Sequence, residues 1–275
     1  MQIRSHDLAL CSWSLPSGGM QQLVASLRTL GLSHSQLALE PLLFLDDKQK
    51  HLELGHLRAS GINLTAGMIY FPGEDYSTIA RIHMTGGFLP DETWTLRRQL
   101  TLQAAKLAHE LGLSILTTHI GFIPPSDHAD YSKLLERIAE IASALAPLNI
   151  LLAMETGQET APGLLQFLND LPVRNIGVNF DPANMILYGA GDPIEAIHTL
   201  GRHIRHVHLK DAIPSDIPGT NWGHQTPLGA GKVDFPELLA ALNTVGYAGP
   251  LAIEQESGHR RLEDIQSAIQ FLQTL

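Results

Sequence analysis

The chain has 275 residues, 44% of them hydrophobic, which suits a sizeable core and excludes wholesale disorder. A net charge of −10 without a basic stretch speaks against a nucleic-acid surface, which needs clustered Lys and Arg. Cys11 is the one cysteine, so no intrachain disulfide forms; with no secretory apolar region in MQIRSHDLAL and no run of roughly 18 apolar residues, a cytoplasmic protein with no membrane partner is expected.

Short apolar runs alternate with longer amphipathic stretches. LALCSWSL (Leu8–Leu15) predicts a strand, and a helix over Met20–Leu30 follows, stopped by Gly31. SQLALE (Ser35–Glu40) predicts the second strand, with a helix near His51–Ser60, and INLTAGM (Ile62–Met68) the third. The stretch Ile69–Pro90, rich in Gly, Pro and Thr, reads as irregular and is long enough for a lid or for the subunit contact of a homo-oligomer. A helix over Asp91–Leu111 leads to ILTTHI (Ile115–Ile120), and a helix near Tyr131–Leu145 to NILLAMETG (Asn149–Gly157). A helix near Gly163–Leu171 precedes IGVNFDPAN (Ile176–Asn184), and a short one near Pro193–Leu200 precedes IRHVHLKDA (Ile204–Ala212). After a Gly/Pro-rich loop come a helix near Phe235–Val245, the strand PLAIEQES (Pro250–Ser257) and a closing helix from about Arg261. Eight strand–helix units in one unbroken alternation predict a single-domain (β/α)8 TIM barrel over residues 1–275. The rival, a doubly wound open sheet of the dinucleotide-binding kind, lacks its glycine-rich fingerprint after the first strand.

Four late strands end in residues unsuited to a buried strand: Glu155, Asp181, His208 and Glu254. The C-terminal ends of barrel strands share one mouth, so these four are expected on one rim. Side chains two apart share a strand face; stepping back two gives Ala153, Asn179, His206 and Ala252. His206 and Asn179 are therefore expected beneath the site, hydrogen-bonding and orienting its ligands, while Val207 and Leu209 face the helices. Three carboxylates in one cleft repel, and a single divalent cation removes the repulsion. Mixed carboxylate and imidazole donors suit Mn, Mg, Fe, Co or Zn without choosing among them. The alternative for each residue alone is a polar strand end meeting solvent.

Other residues carry two readings each. Trp13 either stacks on the apolar face of a substrate or packs in the core. Glu40 binds a substrate hydroxyl or stands solvated in a loop. His119 is a substrate contact, proton relay, extra metal ligand or satisfied structural histidine. Lys210 shares the inward face of His208 and meets either a substrate anion or a rim acid such as Asp211. Trp222 and His224, among Gly219, Gly223, Gly229 and Gly231, form part of a lid or of a flexible connector.

METG (Met154–Gly157), NFDPANM (Asn179–Met185), HVHLKD (His206–Asp211), PLGAGKVDF (Pro227–Phe235) and IEQE (Ile253–Glu256) together resemble the xylose isomerase-like TIM-barrel superfamily, specifically its sugar phosphate isomerase/epimerase group. The resemblance spans all eight units, and its specific part is the order Glu, Asp, His, Glu on strands five to eight. It implies one divalent metal ion on Glu155, Asp181, His208 and Glu254, with Glu155 and Glu254 as the acid/base pair of an isomerase or epimerase acting on a small sugar or sugar-like hydroxy-ketone. The chain departs from the group's pattern twice. Asn184 stands where many relatives have a histidine, and KDAIPSDIPGTNWGHQ lacks the arginine of ketose 3-epimerases. Asn184 can hydrogen-bond a substrate hydroxyl but cannot titrate near neutrality. The same kind of site can run a dehydration of a keto-inositol or dehydroshikimate-like substrate, and the remaining alternatives are a non-catalytic sugar-binding barrel and an apurinic endonuclease-like activity.

Overall fold

The computed structural model describes residues 1–16 and 18–275. Its strands are β1 (Gln2–Ile3), β2 (His6–Cys11), β3 (His34–Ala38), β4 (Asn63–Met68), β5 (Ile115–Thr118), β6 (Leu151–Glu155), β7 (Ile176–Phe180), β8 (Ile204–Leu209), β9 (Asp211–Ile213), β10 (His224–Thr226) and β11 (Leu251–Ile253). Eight of them pair in parallel in the order β2-β11-β8-β7-β6-β5-β4-β3, and β3 returns to β2, closing the sheet into a (β/α)8 barrel. β1 adds antiparallel to β2, and β9 and β10 form a separate hairpin above the barrel mouth.

The helices are α1 (Gly19–Thr29), α2 (Glu40–Leu43), α3 (Asp47–Arg58), α4 (Ile79–Thr85), α5 (Asp91–Glu110), α6 (Ala129–Leu145), α7 (Ala161–Asp170), α8 (Pro182–Tyr188), α9 (Pro193–Leu200), α10 (Phe235–Thr244) and α11 (Arg261–Leu272). No helix of the described residues is long and apolar enough to cross a membrane.

The hydrophobic core lies between the strands and the helices. Leu8, Leu10, Leu116, Leu152, Val178, Val207, Leu209, Leu251 and Ile253 join one continuous apolar cluster with helical residues such as Leu27, Ile138, Phe167 and Leu238. The alternate residues of the same strands point into the barrel, where Ala9, Cys11 and Ala252 form a small separate cluster beneath Trp13. Polar side chains fill the rest of that interior: Gln36, Thr117, Asn179, His206 and His208 are all fully buried. Burying them is tolerable because each finds hydrogen-bond partners across the barrel.

Several predicted boundaries change. The first strand stops at Cys11, and Ser12–Ser14 turn as a 3-10 helix instead of extending to Leu15. Glu40 does not end the second strand but opens α2, ahead of Pro41. The sixth strand ends at Phe180, not at Asn184. Asp181 takes the N-cap of α8, its side chain accepting from the Asn184 N–H, and Pro182 occupies the first helical turn, where its missing N–H costs nothing. The stretch 69–90 contains α4, and the loop after β8 contains the β9–β10 hairpin.

The 69–90 segment is tied down from below. Arg97 of α5, 1% exposed, donates to the backbone carbonyls of Gly87 and Thr85 and lies over the Phe71 ring. Gly87 has φ +65°, and a Cβ there would sit 2.0 Å from the Ile120 carbonyl oxygen, so the two loops touch backbone to backbone.

Candidate active site and metal centre

Glu155 ends β6, Asp181 follows β7, His208 lies within β8 and Glu254 follows β11. Sheet register brings them together: Glu155 pairs with Asn179, Asn179 with His206, and Ala252 with His208. All four are buried, and one donor atom from each lies within 4.8 Å of the others. His208 Nδ1 stands 3.5 Å from Glu155 Oε1, 3.5 Å from Asp181 Oδ2 and 3.4 Å from Glu254 Oε2.

His208 Nε2 is engaged on its far side, 2.7 Å from Gln36 Oε1. That contact places a ring proton on Nε2 and turns Nδ1 toward the carboxylates. Burial opposes a charged ring, but the carboxylate charges, Glu254 first, hold His208 well above its ordinary value; a cation bound there would take the place of the Nδ1 proton. Asp181 spends Oδ1 on the α8 cap. Its Oδ2 and His208 Nδ1 are buried without hydrogen-bond partners. Two orphaned donors aimed at one point among three carboxylates fit a divalent cation. A cation held at about 2.1 Å keeps its donors roughly 3–4 Å apart, a spacing compatible with this cluster.

A hydrogen-bond layer beneath holds the donors. Asn179 Nδ2 reaches Glu155 Oε2 at 3.2 Å, and its Oδ1 lies 3.0 Å from His206 Nδ1. His206 Nε2 in turn meets Thr65 Oγ1 at 3.0 Å. Burial pushes His206 well below its ordinary value, so it sits there as a neutral ring. Gln36 passes its amide to Thr117 and accepts from Cys11, whose thiol is pushed up to about 12 by burial.

The two glutamates have different surroundings. Glu155 Oε1 accepts from Asn184 Nδ2 at 2.8 Å, with His119 Nε2 3.5 Å away. Gly157 permits this. Its φ is +145°, and a Cβ would lie 2.7 Å from the Asn184 Cβ, so only glycine lets the β6 loop close onto α8. Glu254 accepts from the Trp13 indole at 2.6 Å and from Lys210 Nζ at 2.8 Å. Lys210 also donates to Glu256 at 2.6 Å and to Asn184 Oδ1 at 3.1 Å, so its three N–H groups are all engaged. Burial opposes ionisation of Glu254, but the Lys210 ammonium and His208 beside it hold its carboxyl well below the usual range. Glu155 is lowered in the same way, against burial, by His119 and His208. Burial raises Asp181 in spite of Lys210.

Above the four lies a cavity of about 620 Å³. Trp13, His119, Glu155, Asn184, Lys210 and Glu254 line it, together with Glu74, Tyr76, Tyr188, Trp222, Glu256 and Arg261. Glu40 is outside this wall, facing Tyr70, whose phenol burial and Glu40 together push up to about 12. Sequence reasoning missed Gln36, Glu74, Glu256 and Arg261. Gln36 left a signal, a polar residue in register inside an apolar strand. The others reach the cavity from loops and a helix start, where no periodicity marks them. Trp222 donates to the Tyr76 carbonyl at 3.1 Å and packs against Tyr188 at 4.6 Å between ring centroids, bridging the two long loops.

The family profile described as xylose isomerase-like TIM barrel matches residues 22–275. A crystal structure of a xylose isomerase domain protein from Planctomyces limnophilus is similar over 97% of this chain and 94% of its own, with 32% identity and a TM-score of 0.86. Among curated proteins, an inosose dehydratase of Clostridium botulinum is 27% identical over 127 residues, 42% of each chain. A ketose 3-epimerase of Arthrobacter globiformis is 29% identical over 126 residues, 44% of this chain and 39% of its own. The chain thus spans less than half the length of these two curated relatives.

Proposed function

Because the chain belongs to the xylose isomerase-like TIM-barrel family, we propose that it is a divalent-metal-dependent isomerase or epimerase of a small sugar or sugar-like hydroxy-ketone. One observation carries this reading: four donors from four strand ends converge within 4.8 Å, two of them orphaned and buried. Glu155, Asp181, His208 and Glu254 would hold the ion, and none of Mn, Mg, Fe, Co or Zn is singled out. When bound, it supplies Lewis acidity, polarising a substrate carbonyl and stabilising the charge left when the adjacent carbon loses its proton.

The chain's own residues do the rest. Glu155 and Glu254 stand on separate strands, each held by its own donors, so each addresses a different face of a bound substrate. One takes the proton from the carbon beside the carbonyl, leaving an enediolate. The other gives a proton back. Return to the same carbon from the opposite face is epimerisation, and return to the neighbouring carbon is isomerisation. Asn184, hydrogen-bonded to Glu155 and Lys210, fixes the first carboxylate and presents no titrating group. Trp13 fixes the second and offers its ring face to the sugar. His119, with Nδ1 unpartnered, is placed to relay a proton to or from Glu155.

The partner is a small molecule and not a polyanion: among the described residues Arg261 is the one arginine on the cavity wall, far short of the basic track a nucleic acid needs. The inosose dehydratase relative favours a second reading, in which a β-hydroxyl leaves after the same proton abstraction. Incubation in deuterated water with Mn²⁺ and trial ketoses separates the two. Carbon-bound deuterium without loss of water supports isomerisation or epimerisation, whereas a conjugated enone signals dehydration. Failure of every ketose to exchange, with or without metal, would sink the proposal.

A further inference from the structure

We propose that Arg261 makes this cavity selective for substrates carrying an oxyanion, a carboxylate or a phosphate, beyond the reacting carbons. It rests on the reading above in one respect, that the substrate enters this cavity.

Three groups that can carry positive charge line the cavity wall, Lys210, His119 and Arg261. Two are occupied. Lys210 gives its three N–H groups to Glu254, Glu256 and Asn184. His119 Nε2 faces Glu155 Oε1 at 3.5 Å. Arg261 differs. Among the described residues no carboxylate lies within 4.0 Å of its guanidinium, although its neighbours include Glu263, which pairs with Arg260 instead. Its one hydrogen bond runs from Nη1 to the Trp13 carbonyl at 3.4 Å, the long end of the range. The rest of a five-donor fork is uncommitted, on a half-buried side chain at the cavity wall.

The position is specific as well. Trp13 accepts Arg261 on its backbone and gives its indole to Glu254. The guanidinium therefore stands one tryptophan's span from Glu254, at the cavity wall and not among the four converging side chains. A planar fork offering paired N–H groups matches carboxylate and phosphate oxygens far better than hydroxyls. In a partly desolvated cavity an unspent guanidinium rewards an anionic substituent and gives a neutral one little.

Calorimetry on the Mn²⁺-loaded protein tests this without turnover, using D-fructose, D-fructose 6-phosphate and 2-keto-D-gluconate. At least one anionic probe should bind ten-fold or more tightly than fructose. Arg261→Gln should remove that advantage while leaving fructose within two-fold, and Arg261→Lys should restore part of it. The phosphate and carboxylate probes identify which oxyanion the fork prefers. The proposal is overturned if fructose binds as tightly as both anions, if no anion binds at millimolar concentration, or if Arg261→Gln weakens all probes alike. The last result would reduce Arg261 to a prop for Trp13. Absence of deuterium exchange would sink the isomerase reading but leave the anion preference standing, so the two failures are distinguishable.

Discussion

Glu155 and Glu254 are chemically alike but differently held, and that difference gives the sharpest test at the residue scale. Glu155 is fixed by two amides, Asn179 and Asn184, whereas Glu254 is fixed by an indole and an ammonium. If each serves one face of the substrate, Glu155→Gln and Glu254→Gln should each lower epimerisation by about 100- to 10,000-fold. Each single variant should still wash deuterium into the one epimer that the surviving carboxylate serves. Exchange lost equally from both epimers in both variants would show that the pair does not divide the faces. The four strand-end donors were legible because a buried strand seldom ends in acid or imidazole and because a period of two fixes the inward face. The same rule found His206 and Asn179. Arg261 was not legible: it belongs to the first turn of α11, and its reach over the mouth follows from where the barrel closes.

At the scale of elements, the two loops over the mouth are organised by single carboxylates. Asp211, the first residue of β9, accepts the backbone N–H groups of Ala212, Gly229, Gly231 and Val233, binding PLGAGKV back onto the barrel rim. Asp211→Ala should cost about 3 kcal/mol in urea unfolding, since several donors lose a charged acceptor together. A loss below about 1 kcal/mol would mean water replaces it freely. In the other loop, Asp75 accepts from Ser77 and from Arg81 of α4, and these bonds hold its carboxyl down at about 2. A depressed carboxylate contributes its stability above the ordinary range near 4 and loses it as pH falls toward 2. Amide protection in residues 75–85, taken relative to free peptide at each pH, should therefore fall between pH 4 and 2, and Asp75→Asn should show the low protection already at pH 7. In NFDPANM, apolar content suggested a strand through Asn184, yet Asp-Pro is itself a helix-start signal and Asp181 caps α8. The shift moves Asn184 from a strand face to a helix turn, which lets it reach Glu155 and Lys210 together. Helix α4 was hidden because seven residues are too few for a 3.6-residue period to stand out.

At the scale of the whole molecule, the barrel was readable from eight alternations of run and amphipathic stretch. The division of its interior was only partly so, because which polar residues meet depends on closure and stagger. Helix packing against the outer strand faces holds the fold, and the buried acids at the mouth work against it. An ion bound there should stabilise the chain by about 2.7 kcal/mol at one hundred times its Kd, or roughly 5 °C in Tm for a protein this long. Scanning calorimetry with Mn²⁺ and then EDTA should show the gain and its reversal. No shift with any of the five metals would argue against the centre. The bond from the Trp222 indole to the Tyr76 carbonyl spans the only direct hydrogen bond seen between the two long loops among the described residues. Both residues line the cavity, so parting that one bond would release the two loops from each other at its wall. Trp222→Phe keeps a ring against Tyr188 and cuts that tie alone, so a faster ligand on-rate in stopped-flow binding would reveal it as a latch, and an unchanged one would leave it a plain loop contact.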